Sequence, residues 1–192
     1  MTGANSGLGL EACKHIARLG ASRLILACRN LEKGEKAKSA ILAPSPTSSK
    51  ARLSSKDGGS SRTGERLDID VWPLDLTSYD SVKNFSSRCS TLPRLDSVIL
   101  NAGVSLTEFS LSEGNETTLT INVLSTFLLA LLLLPKMRES AAKFNITPHM
   151  AVVGSVVHFW AKTDEISGAP QGGGFSTGSA TTRKQTCLVG IS

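Results

Sequence analysis

Three glycines near the start of the chain carry chemistry that the rest of the fold must position. They lie in Thr2-Gly3-Ala4-Asn5-Ser6-Gly7-Leu8-Gly9, directly ahead of an amphipathic helical pattern. Gly3 permits a tight turn, Gly7 lets an anionic group approach the backbone, and Gly9 lets the helix pack closely on a sheet. The free N–H groups and positive dipole end of that helix would then face a phosphate. Ser6 and Leu8, between the glycines, belong to the same candidate cradle. The spacing is Gly-x-x-x-Gly-x-Gly, not the Gly-x-Gly-x-x-Gly of the general dinucleotide fingerprint, so alone it also fits a flexible tail.

Further polar residues fall at the ends of apolar runs. Arg29 follows the run 23–28, twenty residues after Gly9. In dinucleotide folds an acid at this place binds the ribose of NAD, and an Arg accepts the 2′-phosphate of NADP. No acid stands at the run's end, so Arg29 and nearby Lys33 favour NADP. Asp75 ends the next run and suits either the adenine amino group or a local cap. Asn101-Ala102-Gly103 end a third run, and Ser155 a fourth.

The elements that position these residues read as alternating helices and strands. Leu8, Ala12, Ile16 and Leu19 repeat at helical spacing, with Gly20 as a stop. Residues 23–28 form a continuously apolar strand, the pattern of a parallel strand buried on both faces. Asn30 caps a helix from 31 to about 43, ended by Pro44 and Pro46. Residues 44–66 are rich in Ser, Gly, Lys and Arg and read as a disordered insertion. Strands follow over 69–74, 97–100 and 150–155, and helices over 79–89 and 115 to about 143, the latter bent or ended near Pro135. This alternation predicts an α/β fold with a doubly wound, Rossmann-like parallel sheet, whose ligands bind at the carboxyl ends of the strands. The predicted organisation is a partial dinucleotide-binding domain over 1–162 and an irregular tail over 163–192.

Composition narrows the class. The chain has 192 residues, 40% hydrophobic and 19% charged, with a net charge of +5. The basic residues are scattered without interleaved aromatics, which argues against nucleic acid and suits an anionic cofactor. Cys13, Cys28, Cys89 and Cys187 show no metal or redox spacing, and the three histidines form no ligand cluster, so no metal is expected. Reduced, buried thiols place the protein in the cytoplasm. The apolar run 121–134 is shorter than the roughly 20 residues a bilayer span needs and is broken by Asn122, Ser125 and Thr126, so no integral membrane segment is expected.

Thr2-Gly3-x-x-x-Gly7-x-Gly9, Asp75-Leu76, Asn101-Ala102-Gly103, Asn122 and Ser155 occur in the order of the short-chain dehydrogenase/reductase family, which the chain resembles over residues 2 to about 162, the insertion apart. Leu26-Ala27-Cys28-Arg29 and Val152-Val153-Gly154-Ser155 look like its retinol-dehydrogenase-like, NADP-preferring branch. The resemblance implies NADP-dependent hydride transfer between an alcohol and a ketone or aldehyde on a small lipophilic molecule. It implies that Asn101 to Gly103 line the adenine and ribose side and steady the central strands. It also implies that Asn122 holds a water in a proton relay and that Ser155 hydrogen-bonds the substrate carbonyl. The helix over 115–143 packs in the core or, as similar helices do in the family, offers a homo-oligomer face.

The sequence also departs from the family pattern. The family's acid/base is a Tyr followed four residues later by a Lys, beyond the Ser, whereas the one tyrosine here is Tyr79. Lys162 is preceded four residues earlier by His158, and Lys184 by Ala180. General acid–base help is typically worth ~10²–10⁴-fold, so an alkoxide formed by hydride transfer would lack its proton donor. Only Met1 precedes the glycine turn, which predicts a missing first strand, and a sixth strand is not found. These departures point to a truncated chain or a misread gene; the alternatives are a non-catalytic nucleotide- or partner-binding module and an unstable remnant.

Overall fold

The computed structural model describes residues 1–43 and 67–156. The chain divides into two compact units, Met1–Val153 and Gly154–Ser192, and the elements below belong to the first. The insertion expected over 44–66 and nearly all of the expected tail lie outside the described residues.

In chain order the elements are α1 (Gly7–Arg18), β1 (Arg23–Cys28), α2 (Leu31–Leu42), β2 (Asp68–Pro73), α3 (Tyr79–Ser90), β3 (Ser97–Leu100), β4 (Leu111–Ser112), β5 (Asn115–Glu116), a long helix α4 (Thr117–Phe144) and β6 (His149–Val152). β1 pairs in parallel with β2, from Arg23 opposite Asp68 to Cys28 opposite Pro73, and β3 with β6, from Ser97 opposite His149 to Leu100 opposite Val152. Met1 and Thr2 join the two pairs. The Met1 amine donates to the Ile25 carbonyl at 2.8 Å, the Met1 carbonyl accepts from Ala27 N–H at 2.9 Å, and Thr2 N–H donates to the Ile99 carbonyl at 2.9 Å. Met1 and Thr2 thus lie between β1 and β3, at the place where the sequence reading expects the carboxyl end of a first strand.

Side-chain alternation along the strands sorts the core into two layers. Leu24, Leu26, Ile69 and Val71 pack with Cys13 of α1 and Ala37 and Ile41 of α2. Ile25, Ala27 and Trp72, with Val98 and Leu100, pack with Val82, Phe85 and Cys89 of α3 and Leu129, Leu133 and Met137 of α4. Helices therefore cover the sheet on both faces, as the doubly wound reading requires. Each fully buried aliphatic side chain here, such as Leu26, Val82 or Leu129, contributes about 1.5–3 kcal/mol.

Local signals account for most boundaries. Asn30 Oδ1 accepts from Lys33 N–H at 2.9 Å and starts α2, and Ser78 does the same for α3. Gly20, at φ +89°, ends α1 with its N–H on the Ala17 carbonyl. Four expectations need correction. The apolar stripe of α1 is not its packed face: Leu8 and Leu19 are 83% and 86% exposed, while Gly9 and Cys13 are buried. β1 is buried only over its second half. Asn115 opens no helix, because it pairs in the short β4–β5 hairpin. Pro135 neither ends nor interrupts α4, since its missing N–H would have met the carbonyl of solvent-facing Leu131. By length and composition α4 is apolar enough to cross a membrane. Its residues Leu129, Leu133 and Met137 are nevertheless packed in the second layer.

Candidate functional site

The carboxyl ends of the strands converge on the glycine turn. Thr2 is buried, and its hydroxyl accepts two N–H groups, from Asn101 and Ala102, both at 3.0 Å. Asn101 Nδ2 returns to the carbonyls of Thr2 and Gly3, both at 3.3 Å. The turn is therefore fastened to the end of β3 across about a hundred residues of chain. Gly3 adopts φ +63°, and a Cβ there would stand 2.9 Å from Ala102 Cα. A Cβ on Gly9 would collide with the Gly3 carbonyl oxygen and lie 2.7 Å from Asn101 Nδ2. Two of the glycines are thus required by packing alone.

Gly7 is different. It adopts φ +52° with open space where a Cβ would point. Ser6, Gly7 and Leu8 are all exposed. Ser6 is the N-cap of α1, yet its side chain makes no capping bond, and no acid occupies the first turn. The first-turn N–H groups of a twelve-residue helix are thus left for an outside acceptor, beside backbone that an anion can approach closely.

Arg29 and Lys33 are exposed just past β1 and at the start of α2, and among the described residues neither makes an ion pair. Asp75 Oδ1 accepts from the N–H and hydroxyl of Thr77 at 2.9 and 2.8 Å, and its own N–H donates to Ser81 Oγ. That is the local capping arrangement of an Asx turn. Asn122 lies in a π-helical turn of α4, Thr120–Ser125. Both of its side-chain polar atoms engage Val104, just past Gly103. A π turn inside an α-helix frequently marks a functional site. Ser155 is exposed and belongs to the second unit. His158, Lys162 and Lys184 lie outside the described residues.

Three participants were not singled out as site residues in the sequence. Thr2 is the hub of the turn, and its place in the glycine motif was the available signal. Val104 is the residue Asn122 grips, and no local pattern announces it. Glu113, at φ 52°, accepts from Tyr79 N–H at 2.8 Å and ties the β4–β5 hairpin to the start of α3. The buried thiols stand apart: burial raises the pKa of Cys13 and Cys28 and pushes Cys89 up to about 11. No cluster of three His, Cys, Asp or Glu side chains suited to a metal occurs among the described residues.

The short chain dehydrogenase family model matches residues 59–157, more than half of the chain. The chain belongs to this family. A short chain dehydrogenase/reductase, dmxR8, from Cryptosporiopsis sp. is 43% identical over 159 residues, which cover 82% of this chain and 44% of that protein. The short chain dehydrogenase sol3 of Alternaria solani is 43% identical over 166 residues, 86% of this chain and 52% of its own length. The chain thus spans about half the length of the curated relatives it matches. Among solved structures, a short-chain dehydrogenase from Sphingobium yanoikuyae in complex with NADPH superposes with a TM-score of 0.61 at 23% identity, covering 83% of this chain and 53% of that one. A metagenomic short-chain oxidoreductase in complex with NADP gives 0.58 at 23%, covering 81% and 60%. At that identity the structural likeness establishes the Rossmann-like fold of this short-chain dehydrogenase.

Proposed function

We propose that this chain supplies the cofactor-binding half of an NADP-dependent oxidoreductase of the retinol-dehydrogenase-like branch, acting in the cytoplasm on a small lipophilic alcohol, ketone or aldehyde. The observation that carries the reading is the start of α1: a helix N-terminus without a cap or an acid, opening on an unobstructed Gly7. This arrangement fits a pyrophosphate. Gly3, Ser6, Gly7, Leu8 and Gly9 would cradle it, and Arg29 with Lys33 would hold the 2′-phosphate as charge-assisted donors. Asp75 retains one carboxylate oxygen beyond its turn for the adenine amino group. Asn101, Ala102 and Gly103 would line the ribose side, on backbone that Thr2 holds still. When bound, the nicotinamide supplies or accepts the hydride. Asn122, whose side chain also holds Val104, would hold a water in a proton relay, and Ser155 would donate its hydroxyl proton as a hydrogen bond to the substrate carbonyl. Binding titrations with NADPH and NADH test this: NADPH should bind the more tightly, and absence of binding by both would refute it.

A non-catalytic nucleotide-binding module is the second reading. Tyr79, the one tyrosine in the sequence, starts α3, where its N–H is held by Glu113. On that reading NADPH binds and no carbonyl compound is turned over, whereas NADPH oxidation with any ketone or aldehyde would eliminate it.

A further inference from the structure

Serine and threonine hydroxyls inside a helix ordinarily turn back onto a carbonyl of the preceding turn. Thr126 and Ser140, both buried in α4, do so, donating to the Ile121 and Lys136 carbonyls at 2.8 and 2.9 Å. Ser125 does not. It is fully buried, and its hydroxyl leaves the helix to donate to the Leu76 carbonyl at 2.6 Å, 49 positions earlier in the chain. Leu76 is itself buried and belongs to the same core layer as Ile121 of the π turn. The turn Thr120–Ser125 therefore grips two loops at the carboxyl ends of strands. Asn122 holds Val104 beyond β3, and Ser125 holds Leu76 beyond β2.

Leu76 directly follows Asp75. The bonds of Asp75 to Thr77 and Ser81 close the turn on itself and on α3, which fixes its shape. The Ser125 hydroxyl fixes its place against α4. We propose that Ser125 is a positioning residue for the adenine end of the dinucleotide site, holding the Asp75 carboxylate where its second oxygen meets the adenine amino group. The contact of Asp75 with adenine belongs to the proposed function, on which this assignment rests. Ser125 has no exposed surface with which to touch a nucleotide, so it acts through the Leu76 peptide. A buried carbonyl that loses its donor must find another or move toward water, and either course displaces the adjoining Asp75.

The probe is 2′,5′-ADP, the adenine half of the cofactor without its nicotinamide. Its affinity, measured by calorimetry on folded protein, should fall about three- to tenfold in Ser125→Ala, the scale of one hydrogen bond. Asp75→Asn keeps the acceptor for Thr77 and replaces the other oxygen by a donor, so in that background Ser125→Ala should cost little more. Ser125→Cys retains a weak donor and should recover part of the affinity; it also serves as the comparison if Ser125→Ala does not fold. Amide exchange reads the turn without any ligand. The Thr77 N–H should exchange about tenfold faster in Ser125→Ala, while the Lys33 N–H, capped by Asn30 on α2, should keep its rate. Wild-type affinity for 2′,5′-ADP in Ser125→Ala, an unchanged Thr77 rate, or equal losses in the wild-type and Asp75→Asn backgrounds overturns the inference alone. Failure of the wild-type chain to bind 2′,5′-ADP overturns the functional reading and this inference together.

Discussion

Asn122 closes both of its side-chain hydrogen bonds on a single residue, Val104: Oδ1 accepts from its N–H at 2.9 Å and Nδ2 donates to its carbonyl at 2.8 Å. The amide thus acts as a two-pronged clamp between the π turn of α4 and the loop leaving β3. Asn122→Ala leaves both Val104 groups without a partner and should cost about 1–3 kcal/mol. Asn122→Asp keeps the acceptor but sets a carboxylate oxygen against the Val104 carbonyl, so it should be no milder. Urea unfolding measures the cost, and limited proteolysis should show faster cleavage within 104–110. Wild-type stability in both variants would show that the clamp is dispensable.

Gly9→Ala asks for a methyl group where the Gly3 carbonyl already stands. The turn must shift, at a cost of about 1–3 kcal/mol. NADPH affinity should fall with it, because the cradle and the packing share the same backbone. Gly7→Ala meets no obstruction but must hold φ +52°, so it should be the milder change in stability and still weaken NADPH. A thermal melt beside an NADPH titration separates the two effects.

Removing the paired cations tests cofactor choice. Arg29→Ala with Lys33→Ala should weaken NADPH roughly 10–100-fold, the scale of one or two charge-assisted hydrogen bonds, and leave NADH nearly unchanged. Parallel loss for both nucleotides would move the 2′-phosphate elsewhere.

Cys13, Cys28 and Cys89 are buried with raised pKa values, Cys89 at about 11. At pH 8 they should resist iodoacetamide in the native protein and react once it is unfolded. Peptide mapping after labelling reads this directly.

Much of the scaffold was legible because its signals are local. Asn30 ahead of a helical pattern, the apolar run at 23–28 and Gly20 after α1 each dictate their element within a few residues. The α1 face was misread because hydrophobicity pointed to Leu8 and Leu19, whereas close packing on the turn selects the smallest residue, Gly9. The β4–β5 hairpin escaped because strands of two residues show no alternation. At the candidate site, the residue types were visible one by one. Their assembly through the Thr2 hydroxyl was not, since contacts spanning about a hundred positions leave no periodic trace.

Met1 and Thr2 make the front of this polypeptide a poor place for an affinity handle. The Met1 amine already sits between β1 and β3, so residues fused ahead of it would be directed along the sheet rather than into solvent. A polyhistidine or Gly-Ser leader there would thread imidazoles or bare backbone between apolar strands. An extended apolar leader, such as Val-Ala-Leu-Ile, would instead offer amides to the facing edges. The choice of expression vector is therefore a structural decision for this protein.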